Sequence, residues 1–180
     1  MTCIVGLEHN GAVWMGGDAA ATQGDCLQFM LLSDPKVFIR GACIFGCSGS
    51  VRMAQLLQHA LIIPEVDPQK TAEAWIATDF INAVRSAFSS AGWTRVKEGA
   101  EEAGFFLLGF LGKLYRIEDD FGIHRPMRGY EALGSGGPYA LGSLRETAGQ
   151  CVDVRIAKAL ETAAALNAGV QPPFTILKLE

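Results

Sequence analysis

The chain has 180 residues, of which 49% are hydrophobic and 19% charged, enough for one sizeable core and too apolar for a disordered chain. A net charge of −4 leaves no basic footprint for nucleic acid. The apolar stretches fall short of the roughly 18 residues that would span a bilayer, so no membrane association is expected. Met1-Thr2 leads directly into a polar-punctuated hairpin with no secretory signal pattern, and a cytoplasmic protein is expected.

The first element is a hairpin. Thr2–Glu8 and Ala12–Asp18 are apolar runs flanking Asn10-Gly11, the strongest short-range hairpin signal. Its antiparallel pairing carries Asp18 back beside Thr2. Aminopeptidases remove an initiator Met before a small residue, and Thr2 would then carry a hydroxyl and a free amine together, a nucleophile with its own base. An α-amine titrates near 7.7–8.0, close to working pH. Asp18 equally suits a cap for the turn that follows.

Extended segments are expected near Cys26–Leu32 and Lys36–Arg40, then a buried strand over Ala42–Cys47. Ser48-Gly49-Ser50 opens a helix to about Leu61, with an apolar stripe of Met53, Leu56, Leu57 and Ala60. Beyond Pro64, Asp67-Pro68 reads as an N-cap and first helical position, opening a long helix to about Ala91. The polar stretch Trp93 to Gly104 reads as loop. Phe105–Leu111 and Leu114–Ile117 form a second hairpin around Gly112-Lys113, a turn lies at Asp119-Asp120, and extended chain runs to Leu133. Helices over Pro138–Glu146 and Val152–Leu166 precede a final strand, Phe174–Leu179. Hairpin-rich strands with helices grouped in sequence argue antiparallel sheets covered by helices, not alternating βαβ units.

The five cysteines (Cys3, Cys26, Cys43, Cys47, Cys151) are odd in number and irregular in spacing, so neither a disulfide framework nor zinc is expected. Cys3 alternates onto the strand face opposite the nucleophile. None of His9, His59 and His124 has a second ligand at metal spacing, and no Gly-x-Ser-x-Gly elbow occurs. No cofactor is expected.

Thr2-x-Ile4-Val5-Gly6, Gly17-Asp18, Thr22-x-Gly24, Lys36, Gly46-x-Ser48-Gly49-Ser50 and Gly134-Ser135-Gly136-Gly137-x-Tyr139-Ala140-Leu141 come in that order. Together they resemble the β-type subunits of the proteasome and their bacterial relative, the HslV peptidase, from Thr2 to about Leu144. A weaker echo of the HslV tail lies at Phe174-Thr175-Ile176. With nothing ahead of Met1-Thr2, the chain resembles HslV or a catalytic β subunit, not the α subunits with their leading helix. The resemblance implies an α+β fold: a four-layer αββα sandwich of two antiparallel sheets flanked by helices, with residues 1–180 as a single peptidase domain. It implies a threonine peptidase that hydrolyses peptides or unfolded proteins inside a chamber, and a homo-oligomeric assembly of stacked rings. It leaves room for an ATP-dependent unfoldase partner, which no feature of the chain identifies.

The resemblance also assigns roles. Thr2 is the nucleophile. Lys36, the only lysine among the first 69 residues, lowers the pKa of the Thr2 amine, and Asp18 holds that lysine charged and oriented. Gly49 offers its N–H to the oxyanion, and Ser135 hydrogen-bonds the amine. Thr22, Gly49 and Val51 lie along the substrate strand, and Ala21, Cys47 and Val51 line the pocket for the residue before the cut. These are small or apolar, so apolar residues are expected there in preference to basic ones. Three features depart from the pattern. Lys36 stands two residues further from Thr2, an insertion within Leu27–Pro35. Ala20 replaces the arginine common before Ala-Thr, and Asn167 stands nearest to the acidic residue usual after the last helix. Two other readings remain open on the residues: a non-catalytic ring or scaffold subunit, and a small-molecule amidase of the N-terminal nucleophile type.

Overall fold

The computed structural model describes residues 1–23, 27–30, 35–97 and 99–180. The first hairpin pairs β1 (Ile4–His9) with β2 (Ala12–Gly17) through a turn in which Asn10 and Gly11 have φ of 50° and 75°, the type I′ signature. β1 also pairs with β12 (Tyr130–Leu133), and β2 with β13 (Thr175–Leu179), giving a four-stranded antiparallel sheet in the order β12-β1-β2-β13.

A second antiparallel sheet runs β11-β10-β9-β6-β5. Its strands are β5 (Val37–Arg40), β6 (Cys43–Cys47), β9 (Phe106–Phe110), β10 (Lys113–Ile117) and β11 (Ile123–His124). The β9–β10 turn is centred on Leu111-Gly112, one residue earlier than the sequence pattern suggests, with φ of 47° and 70°. Gly112 is the residue that fits there: a Cβ would lie 2.3 Å from the carbonyl oxygen of Gly11, so the two hairpin turns abut. Glu8 fastens the same end of the two sheets, its Oε1 accepting from the Leu114 N–H at 2.8 Å.

Strand alternation sorts the apolar side chains into three clusters, one for each seam between layers. Ile4, Val13, Met15, Val37, Ile44, Leu107, Leu114 and Leu133 fill the gap between the sheets. Val5, Leu7 and Ala132 point the other way, onto α4 (Gly137–Glu146) and α5 (Val152–Leu166), where Leu144, Ile156, Leu160 and Ala163 cover them. On the far side Phe45, Leu108, Phe110 and Tyr115 meet Met53, Leu57, Trp75, Phe80, Val84 and Phe88. Those residues belong to α1 (Val51–Gln55) with its π-helical continuation Leu56–Ala60, to α2 (Ala72–Trp75) with Ile76–Phe80, and to α3 (Ile81–Ser90). The result is helix–sheet–sheet–helix, as the resemblance implied.

Two expectations are corrected. The long helix starts at Ala72, not after Asp67: Thr71 is the N-cap, its Oγ1 accepting from the Ala74 N–H at 3.2 Å. Asp67 instead closes a turn, accepting from the Gln69 N–H at 2.9 Å. The stretch read as loop contains a small hairpin, β7 (Arg95–Lys97) with β8 (Ala100–Glu102). Its Val96 is 77% exposed, so no buried face existed for a periodicity to reveal. A further two-stranded ribbon joins β3 (Ala20–Gln23) to β4 (Leu27–Met30). The remainder of the expected Cys26–Leu32 segment, and residues 31–34 of the stretch that holds the insertion before Lys36, lie outside the described residues. Among the described residues no helix is long and apolar enough to cross a membrane.

Candidate active site

The site forms where the β1–β2 hairpin meets the ends of β5, β6 and β12. Thr2 precedes β1 and is 7% exposed. The hairpin register continues one step past Ile4↔Gly17, so Cys3 and Asp18 face each other. Asp18 accepts from the Cys3 N–H at 2.9 Å, and its own N–H donates to the Cys3 carbonyl at 3.2 Å. The carboxylate also accepts from the Ala20 N–H at 3.1 Å and the Gln171 N–H at 3.4 Å. Capping its own turn and holding a cation are thus joint duties of Asp18.

That cation is Lys36, just ahead of β5. Its Nζ donates to Asp18 Oδ1 at 2.7 Å and to the Ala20 carbonyl, with the side chains 7% and 0% exposed. Burial pushes the Lys36 ammonium below its ordinary value, and the Asp18 carboxylate opposes that drop through charge and hydrogen bond. The altered spacing before Lys36 therefore leaves it in contact with Asp18. Cys3 is fully buried on the helix-covered face, and burial followed by the Asp18 charge lifts its thiol to about 12, so it is a neutral core residue.

The glycine-rich segment after β12 wraps the other side of Thr2. The Thr2 N–H donates to Ser135 Oγ at 3.4 Å, and the Gly136 N–H donates to the Thr2 carbonyl at 3.0 Å. Gly134 has φ of +88°, and a Cβ there would lie 2.2 Å from the Thr2 oxygen. The run of glycines is thus explained by close backbone approach, not by looseness.

Gly49 lies between β6 and α1 with φ of +98°, exposed, and with nothing within 4 Å of where a Cβ would stand. Ser50 caps α1 by accepting from the Arg52 and Met53 N–H groups at 3.1 and 3.4 Å. Among the described residues the Gly49 N–H has no protein acceptor.

Two cavities flank Thr2. One, of about 80 Å³, is lined by Ala20, Ala21, Lys36, Cys47, Val51 and Ala54. The other, of about 490 Å³, opens on the side of Ser135 and Gly134. Met1, Thr2 and Gly49 border both. Thr22 takes its place in β3 opposite Gln28. Asn167 does not reach the site: its Oδ1 accepts from the Gly169 N–H at 3.0 Å in its own turn. The contact from that region is the backbone of Gln171, and the partner of Lys36 besides Asp18 is the backbone of Ala20. Neither has a side-chain signature that a sequence could display.

No protein-family model and no curated protein matches the chain. Solved structures do. BPH from Thiobacillus denitrificans, in complex with epoxomicin, superposes with a TM-score of 0.80 at 16% identity, covering 99% of this chain and 98% of that one. Eukaryotic HslV from Trypanosoma brucei gives 0.69 at 19% identity, with 99% of each chain covered. Anbu, an ancestral beta-subunit from Yersinia bercovieri, gives 0.68 at 13% identity, over 99% of this chain and 81% of that one. The fold is therefore that of the proteasome-like N-terminal nucleophile hydrolases. Within that class it is the architecture shared by HslV, Anbu and BPH.

Proposed function

We propose that the protein is a threonine endopeptidase whose nucleophile is Thr2 after removal of Met1. The observation that carries this reading is the convergence on one residue. Thr2 stands between two cavities, beside a buried Asp18–Lys36 pair, an acceptor hydroxyl at Ser135 and the Gly49 N–H, which has no acceptor among the described residues. Each is a component that amide hydrolysis requires.

With Met1 gone, the nitrogen that now donates to Ser135 is a free amine. Thr2 Oγ1, which here donates to the Met1 carbonyl at 2.7 Å, is released. The hydroxyl oxygen adds to the substrate carbonyl carbon while its proton passes, through a water, to the amine. Gly49 N–H stabilises the resulting oxyanion. The C–N bond breaks, the leaving amine takes the proton, and an ester to Thr2 remains. Water, deprotonated by the same amine, hydrolyses the ester and restores Thr2. The positive charge of Lys36, held by Asp18, disfavours protonation of the amine and so keeps more of it as free base.

The 80 Å³ cavity, walled by alanines, Cys47 and Val51, takes the residue before the cut and suits a small apolar side chain. We read residues 1–180 as one peptidase domain, working in the cytoplasm as a homo-oligomeric ring with the sites facing an inner space; an unfoldase would deliver its protein substrates.

Intact mass before and after a peptide epoxyketone tests the chemistry, because that reagent closes its ring only on a hydroxyl and a free amine of one residue. Loss of Met1 and one adduct, absent in Thr2→Ala, is expected. A chain without Met1 that takes no adduct would instead indicate a subunit that keeps the fold without the activity.

A further inference from the structure

We propose that the 490 Å³ cavity receives the residue following the cleaved bond, and that Glu131 selects a basic side chain there. The inference rests on the peptidase reading of Thr2 and adds to it a determinant on the leaving side. Among the described residues, the two cavities share only Met1, Thr2 and Gly49. A peptide whose carbonyl lies over Thr2 and Gly49 must therefore send its two halves in opposite directions. If the alanine-walled cavity holds the half before the cut, the larger one holds the half after it. Its volume falls in the roughly 300–1,000 Å³ range of ligand pockets.

The larger cavity combines apolar walls, Phe105, Leu133, Pro138 and Leu141, with two charged side chains, Arg116 and Glu131. The charge of Arg116 is already offset. Its Nε lies 2.7 Å from one Glu118 oxygen, and its Nη2 donates to the other at 3.3 Å. Glu131 has no such balance. Its Oε1 accepts from the neighbouring Ala132 N–H at 2.8 Å, and among the described residues no cation stands within ion-pair distance of the carboxylate. Alternation along β12 sets Glu131 on the same face as Leu133, toward the gap between the sheets, and its cross-strand neighbour is Gly6, which has no side chain to cover it. Glu131 is half-buried, so a cation brought to its carboxylate is attracted with less solvent screening than at an open surface. A lysine or arginine entering here would lay its aliphatic stem along the apolar walls and bring its head to Glu131.

The test uses protein with Met1 removed and peptides identical except for Lys, Gln or Glu after the cut, with kcat/KM compared as ratios so that overall activity drops out. Lys is expected to exceed Gln by about fivefold, as for a partly exposed ion pair, with Glu the poorest. Glu131→Gln should bring the Lys/Gln ratio to one, and Glu131→Lys should make Glu the preferred residue. Peptide cleavage by protein that forms the epoxyketone adduct, with no Lys preference or with a preference that survives both substitutions, overturns the assignment while leaving the nucleophile intact. Absence of both adduct and cleavage overturns the peptidase reading and this assignment with it.

Discussion

Asp18 is 2% exposed and accepts hydrogen bonds from the backbone of Cys3, Ala20 and Gln171 as well as from Lys36. Replacing it with Asn would leave a buried ammonium facing an amide, and breaking a buried pair in this way costs about 3–5 kcal/mol. The pH dependence has a definite sign. Burial holds the folded-state pKa of Lys36 below its ordinary value of 10.5. The folded protein thus sheds this proton before the unfolded chain does. The cost of burying the charge is present in full below the lowered value and shrinks as pH rises toward the ordinary one. In Asp18→Asn the main influence holding that pKa up is gone, so the window extends further toward neutrality. Denaturant midpoints should show the gap between wild type and Asp18→Asn narrowing as pH is raised from about 7 to about 10. A constant or widening gap would mean that Lys36 is not the group that responds.

At the scale of single elements, the helix start tests why one cap prevails over another. Asp67-Pro68 and Thr71 both carry N-cap chemistry, and local sequence does not rank them. Tertiary packing does. The indole N–H of Trp75 donates to the Glu65 carbonyl at 3.0 Å, which requires the segment before the helix to fold back along it. A helix begun at Asp67 would have carried that segment away. Thr71→Ala should therefore lower stability by about 1 kcal/mol. Asp67→Ala, in an exposed turn, should change it by less than about 0.5 kcal/mol in the same urea titration. The first hairpin, the α1 start and the α4 start are legible because each has strong local punctuation: Asn10-Gly11, the Ser50 cap, Pro138. The Arg95–Glu102 hairpin is not, because it buries no face. Of the candidate site residues, Thr2, Asp18, Lys36, Gly49 and Ser135 each bring a side chain or a glycine, which a sequence can display. Ala20 and Gln171 contribute through backbone atoms, and Glu131 declares itself only once the strand register aims it at a cavity.

Across the whole molecule, the distance between the two sheets is set by what their facing surfaces lack. Gly46 and Gly109 lie on the inner face of the second sheet. A Cβ on Gly46 would stand 2.5 Å from both Ile4 Cγ2 and Met15 Sδ of the first. Gly46→Ala therefore has to wedge the layers apart or displace those side chains, a cost of about 1–3 kcal/mol. The same substitution at Gly142, exposed within α4 with nothing within 4 Å, should raise stability by about 1 kcal/mol through helix propensity. Opposite shifts in denaturation midpoint are expected; matching losses would mean that packing between the layers is not what excludes a side chain at Gly46.

The placement of Thr2 also bears on how long the site stays assembled. Ends of chains ordinarily fray, opening at little free-energy cost. Here the residue after Thr2 is bonded through both backbone groups to Asp18, and the strand it enters is flanked by β12 on one side and β2 on the other. Freeing it means unzipping an interior strand from two neighbours and uncovering the seams on both of its faces. The opening free energy of this segment is thereby tied to that of the sheet itself, and the Thr2 hydroxyl keeps its position for as long as the protein remains folded.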